Sequence, residues 1–290
     1  MIPKGKIFII GGHEDKGLPG SVPDILDREK KLAHFEILRK LISDIPKAHH
    51  VIEIIAAASE IPEEMETLYK NAYQNAGFTK IGIIRVDTPE QAHDIANVQR
   101  IAHAHSVFFT GGDQKKLTSL ISNSPLLDAI KRKYYADKNF IIAGTSAGAM
   151  SIPAIMISRG IIEEALLKSD IELHEGLGII DGIIVDTHFV KRGRFGRLAY
   201  AVASCEQHRT GIGLGEDTAL IISNGNEAEC IGSGMVIIID GSAIRASNIH
   251  DADEETPIAI ENLKVNILSH GCKYLIKEKQ MMLRDSNNHL

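Results

Sequence analysis

The order of its first two thirds constrains this chain most: five short, mostly apolar runs alternate with stretches of helical character. Lys6–Ile10, closed by Gly11-Gly12, is followed by Asp27–Ile42, whose Leu32, Phe35, Leu38 and Ile42 recur at helical spacing. Val51–Ala58 is strand-like. Pro62 then opens a helical stretch with Glu63, Glu64 and Glu66 near its start, where carboxylates complement the positive helix end. Ile81–Val86, Ser106–Thr110 and Phe140–Ala143 are further strands, with Pro89–Ala102 and Ser124–Tyr135 helical between them. Strand, helix and strand in repetition require right-handed crossovers, and so a parallel sheet covered on both faces.

Beyond Cys205 the pattern changes. Gly211–Glu216, Ala219–Ser223, Met235–Asp240 and Val265–Leu268 are short runs with turn residues between them, expected as added strands rather than further βαβ units. No Ser- or Pro-rich linker, repeat or low-complexity segment divides the chain, so residues 1–290 are expected to form a single domain. A net charge of −6 argues against general nucleic-acid binding, which needs a basic face. Three scattered cysteines without a CxxC pair argue against a disulfide framework or zinc knuckle. Without a secretory leader pattern or an apolar run approaching membrane-spanning length, the expectation is a cytoplasmic protein with no membrane partner.

Chemistry concentrates at strand ends. Phe140–Ala143 runs into Gly144-Thr145-Ser146-Ala147-Gly148, a G-x-S-x-G between a strand and a helix. Such a turn projects a serine hydroxyl from the sheet edge, and the N–H of Ala147 can face a developing oxyanion. A glycine-rich turn that only packs helix on sheet would read the same way. Phe108–Thr110 ends in Gly111-Gly112-Asp113-Gln114, and in a parallel sheet this loop should border the same crevice. The amides of Gly112 and Asp113 are further oxyanion candidates, with a plain tight turn as the alternative.

A serine nucleophile needs a base and a group that orients it. Among 13 histidines, His188 stands out because it follows the strand-like Ile183–Asp186 and precedes an arginine cluster, Arg192, Arg194 and Arg197. His49, His50, His103 and His105 read as ordinary surface histidines near element ends. Three arginines at a helix start oppose its dipole, which points to an anionic partner or to a solvated basic face. In Gly211-Ile212-Gly213-Leu214-Gly215-Glu216-Asp217 the third glycine comes too early for a dinucleotide fingerprint; Glu216 or Asp217 could instead orient an imidazole. The order serine, histidine, acid differs from the order serine, acid, histidine of the α/β-hydrolases.

Taken together, GTSAGA at Gly144–Ala149, FTGGDQ at Phe109–Gln114, D-x-HF with RGRxGRL at Asp186–Leu198, and GIGxxEDTA at Gly211–Ala219 resemble the cyanophycinase family. Its peptidase group also contains the α-aspartyl dipeptidases. The resemblance implies a flavodoxin-like, class I glutamine-amidotransferase-like α/β fold with a parallel sheet flanked by helices and added C-terminal strands. It implies Ser146 as nucleophile, His188 as base and Glu216 as orienting acid. It places Asp113, Gln114, Asp186, Arg192, Arg194 and Arg197 near substrate, with Thr187 where many members carry Gln. Gly215 stands where an acid is expected. The implied activity is serine-type hydrolysis of cyanophycin, a polyaspartate carrying arginine on each side-chain carboxyl, to β-aspartyl-arginine dipeptides; the alternative is dipeptidase action on small aspartyl peptides. No metal or organic cofactor is expected, and a homodimer is.

Overall fold

The computed structural model describes residues 1–16, 36–45, 51–160, 166–205 and 210–283. The start of the expected Asp27–Ile42 helix, with Leu32 and Phe35, lies outside these residues, as do His49 and His50. Strands β1 (Lys6–Ile10), β2 (Val51–Ile55), β3 (Lys80–Ile83), β4 (Ser106–Phe109) and β5 (Ile141–Thr145) pair in parallel in the order β1-β5-β4-β2-β3. Their connections hold α1 (Glu36–Ser43), α2 (Pro62–Ala76), α3 (Ile95–His103), α4 (Gln114–Ile121) and α5 (Pro125–Ala136). The helix read over Pro89–Ala102 is divided: a 3₁₀ turn spans Pro89–His93, and Asp94 caps α3 by accepting from the Ala96 amide.

The strands are mostly apolar because both faces are covered, and the one buried carboxylate among them, Glu53 of β2, is paired with Arg100. Phe8, Ile10, Ile52, Ile54 and Phe108 pack with α1 and α2, while Ile7, Ile9, Val107, Phe109 and Ile142 face α3, α4 and α5. Each fully buried side chain of this size contributes roughly 1.5–3 kcal/mol. Beyond β5 come α6 (Ala147–Ser151), a hairpin of β6 (Ile155–Gly160) and β7 (Ile171–Glu175), and then β8 (Ile183–Asp186), α7 (Phe195–Ser204) and β9 (Thr210–Leu214). Strands β10 (Thr218–Ser223), β11 (Glu227–Gly232), β12 (Val236–Asp240), β13 (Ala246–Ser247), β14 (Ile260–Glu261), β15 (Lys264–Leu268), β16 (Lys273–Leu275) and β17 (Gln280–Met282) complete the described chain.

Strand β10 adds antiparallel to β1, and β11, β16 and β17 extend that nine-stranded sheet; a second sheet runs β15-β12-β9-β8. The α/β architecture with added C-terminal strands is therefore present. One expectation is corrected: β9 pairs in parallel with β8 across α7, so it does close a further strand–helix–strand unit. The glycines of β9 serve that packing. A Cβ on Gly213 would lie 2.5 Å from the Phe189 ring, and one on Gly211 2.7 Å from Val202. All three cysteines are free thiols. Among the described residues no helix is long and apolar enough to cross a membrane.

Candidate active site

Ser146 follows the last residue of β5, and its backbone sits at φ 51°, ψ −118°, a region that non-glycine residues rarely occupy. The turn closes tightly because its flanking glycines lack side chains: a Cβ on Gly144 would meet the Gly148 backbone at 2.7 Å, and one on Gly148 the Phe109 carbonyl at 2.4 Å. The Ser146 amide donates to the Ile10 carbonyl at 3.1 Å, fixing the turn to the end of β1. Beneath it lies Glu14, fully buried, which accepts from the Thr145 hydroxyl at 2.8 Å and the Tyr69 hydroxyl at 2.7 Å. Burial pushes the Glu14 carboxyl up, but the nearby Lys16 ammonium and these hydrogen bonds outweigh it, and Glu14 stays below the ordinary range.

The second sheet supplies the partner. His188 follows β8, is 5% exposed, and its amide donates to the Gly11 carbonyl at 2.9 Å. The ring lies against Gly12, where a Cβ would sit 2.4 Å from its Cε1. Its Nε2 is 3.0 Å from Ser146 Oγ, and its Nδ1 is 2.8 Å from Glu216 Oε1. Glu216, in the link from β9 to β10, accepts from Lys191 Nζ at 2.9 Å through its other oxygen. Burial would raise the Glu216 carboxyl, but the bonds from Lys191 and His188 and the nearby His13 hold it below the usual range. An ionised Glu216 accepts a hydrogen bond from Nδ1–H, which leaves Nε2 free to accept from the serine hydroxyl. Burial depresses the His188 imidazole, Glu216 partly restores it, and Arg192 and His13 oppose its charge; it stays below the ordinary histidine value.

Asp217, the other acid left open by the sequence, faces elsewhere. It accepts from the Ser233 hydroxyl at 2.7 Å and from the Asp15 amide at 3.1 Å. The Gly112 and Ala147 amides have no hydrogen-bond partner among the described residues. The Asp113 amide does not match its expected oxyanion role: it donates to the Ala58 carbonyl at 2.8 Å, while the Asp113 carboxylate caps α4 through the Lys115 amide. The Gln114 amide nitrogen is engaged by the carbonyls of Ile157 and Ser158.

The arginine cluster also departs from expectation. Asp186 is completely buried, and its carboxylate is gripped by Arg197 through Nε at 2.6 Å and a second guanidinium nitrogen at 2.5 Å. Arg194 adds a bond to Asp186 at 3.2 Å and one to the Thr187 carbonyl at 2.8 Å. Arg197 also reaches the Gly160 carbonyl at 3.1 Å. Asp186 is therefore not available to meet a substrate guanidinium, nor Arg197 to meet a carboxylate: each neutralises the other inside the protein. Thr187 is likewise fully buried, its hydroxyl unpaired among the described residues. Arg192 differs. It is exposed, four residues past His188, and its side chain forms no ion pair among the described residues.

Two neighbours, His13 and Lys191, were not singled out from sequence. The His13 ring meets the His188 ring edge-on at 5.3 Å, and its Nε2 lies 3.8 Å from Glu216 Oε1. The available signal was Gly11-Gly12-His13-Glu14 at the carboxyl end of β1, which a parallel sheet directs to the same crevice as Ser146.

The family model described as Peptidase family S51 matches residues 27–230. A cyanophycinase of Synechococcus elongatus is 31% identical over 269 residues, covering 93% of this chain and 83% of that protein. A cyanophycinase of Geminocystis herdmanii is 31% identical over 279 residues, covering 96% of each. Among solved structures, a peptidase from an acI-B1 actinobacterium superposes with a TM-score of 0.63 at 21% identity, covering 95% of this chain and 97% of that one, and shares the fold.

Proposed function

The chain belongs to peptidase family S51, a serine-type peptidase family, and from that premise we propose that it hydrolyses cyanophycin to β-aspartyl-arginine dipeptides through an acyl-enzyme. The observation that carries the reading is the chain of contacts from Ser146 Oγ to His188 Nε2 at 3.0 Å and from His188 Nδ1 to Glu216 at 2.8 Å. Ser146 Oγ attacks an aspartyl peptide carbonyl as His188 takes the hydroxyl proton, and Glu216 stabilises the imidazolium that forms. The Gly112 and Ala147 amides receive the oxyanion. His188 passes its proton to the leaving amine as the C–N bond breaks. Water then attacks the acyl-enzyme as His188 takes its proton; the ester C–O bond breaks, His188 returns that proton to Ser146 Oγ, and the acid product leaves. Each step is complete with these side chains and water.

Arg192 is the arginine placed to serve specificity. In cyanophycin the negative charge sits on the α-carboxylates of the side-chain-linked arginines, which suit a guanidinium without an ion-pair partner among the described residues. Incubating purified protein with cyanophycin and weighing the products tests the reading: β-aspartyl-arginine is expected. Intact polymer together with cleaved short aspartyl peptides would establish the dipeptidase instead. A cytoplasmic homodimer of single-domain chains completes the proposal, and a monomer mass by light scattering across a wide concentration range would remove the dimer from it.

A further inference from the structure

His13 adds to His188 and Glu216 a third donor that hydrolysis as proposed does not require. One donor atom from each lies within 4.8 Å of the others. The shared point is Glu216 Oε1, 2.8 Å from His188 Nδ1 and 3.8 Å from His13 Nε2. Two imidazoles and one carboxylate with an open fourth position are a known zinc-binding set, and bonds of about 2.0–2.2 Å fit donors that draw to a little over 3 Å apart. The exposed His13 side chain closes in from 3.8 Å, while the 2.8 Å pair of His188 Nδ1 and Glu216 Oε1 opens slightly to admit the ion. Imidazole and carboxylate ligands favour Zn²⁺ over Mg²⁺, which prefers an all-oxygen octahedron.

We infer that Zn²⁺ binds His13 Nε2, His188 Nδ1 and Glu216 Oε1 and switches the peptidase off. The ion replaces the Nδ1 proton, which is released to solvent. An imidazole bound through Nδ1 carries its remaining proton on Nε2, so it donates to Ser146 instead of accepting from it. The serine then has no base. Lys191 holds the other Glu216 oxygen, so the carboxylate binds through one oxygen only. Lys191 and the exposed Arg192 both oppose a cation, which favours a reversible, moderate affinity over a resident ion. The inhibition rests on the proposed roles of Ser146 and His188; the binding rests on the donor geometry alone.

The test titrates ZnCl₂ into the full chain by calorimetry, without substrate, and separately measures hydrolysis with ZnCl₂, with ZnCl₂ plus excess EDTA, and with MgCl₂. His13→Asn is the variant, because His13 is exposed and has φ 48°, a backbone conformation that asparagine adopts readily. The expected result is one Zn²⁺ per chain bound with moderate, reversible affinity, loss of turnover reversed by EDTA, and no response to Mg²⁺. Measured against its own zinc-free rate, His13→Asn should weaken Zn²⁺ binding and inhibition by at least roughly tenfold, since one of three protein ligands is gone. Equal Zn²⁺ affinity in the variant, or no binding to the unmodified chain, overturns the site. Binding through His13 in a protein that cleaves neither cyanophycin nor aspartyl peptides would instead overturn the proposed function and leave the site standing.

Discussion

Two charged networks sit a few residues apart in this molecule, and they are built on opposite plans. Around Asp186 the carboxylate is completely buried, and Arg197, Arg194 and the Thr187 amide occupy its oxygens. Around His188 the carboxylate of Glu216 touches solvent, and the imidazole keeps Nε2 directed at Ser146. The first network satisfies its charges internally; the second leaves one group with unused capacity, aimed at a strained serine. Identity of residue type does not separate the two. What separates them is whether any donor or acceptor remains for a substrate.

The comparison is broken most severely at Ser146. Ser146→Ala should reduce turnover at least about 10⁴-fold with an unchanged thermal midpoint. Substantial hydrolysis by the pure variant would remove the nucleophile from the proposal. Glu216→Gln should cost about 10⁴-fold in kcat, because the amide no longer fixes the tautomer. Asp217→Asn should cost less than about tenfold, since the amide keeps one acceptor for its loop contacts. A larger loss at Asp217 would reverse the assignment.

The other network should fail in stability. Asp186→Asn leaves the Arg197 charge buried without its counter-ion, an effect of about 3–5 kcal/mol, seen in calorimetry as a fall on the order of 10 °C in Tm. A Tm within a degree or two of the unmodified protein, with turnover lost, would move Asp186 back to substrate contact.

The smallest effects concern Arg192 and pH. His188 must be neutral to accept the serine proton, and its value lies below that of an ordinary histidine. The acid limb of kcat/KM for the free enzyme should therefore lie below about pH 6.5. Arg192→Met removes a positive charge that opposes the imidazolium, so the limb should move upward, with KM for cyanophycin rising roughly tenfold. A downward move, or an unchanged KM, contradicts this placement of Arg192.

Much of this was legible in the chain. Alternating apolar runs predicted the parallel layers, because burial on both faces demands uninterrupted apolar strands such as Ile7–Ile10. The β6–β7 hairpin escaped notice, since its burial is mixed and its apolar run is short and interrupted by Ser158 and Arg159. The βαβ character of β8, α7 and β9 was hidden because the glycines that let α7 approach β9 look like turn residues.

Local chemistry placed Ser146, since a strained turn at a strand end needs small neighbours next to it in sequence. Its partners lie at long range, His188 42 residues away and Glu216 a further 28. At that range sequence spacing carries no distance information: among 13 histidines His188 stood out only by its place after a strand, and the choice between the adjacent acids came from motif resemblance. Tertiary structure decided which carboxylate meets the imidazole, because β9 and β10 belong to different sheets and the link between them turns Glu216 toward His188 and Asp217 toward Ser233. It also decided which arginine remains available. Arg192, Arg194 and Arg197 read alike in sequence; burial beside Asp186 engages two of them and leaves the third in solvent.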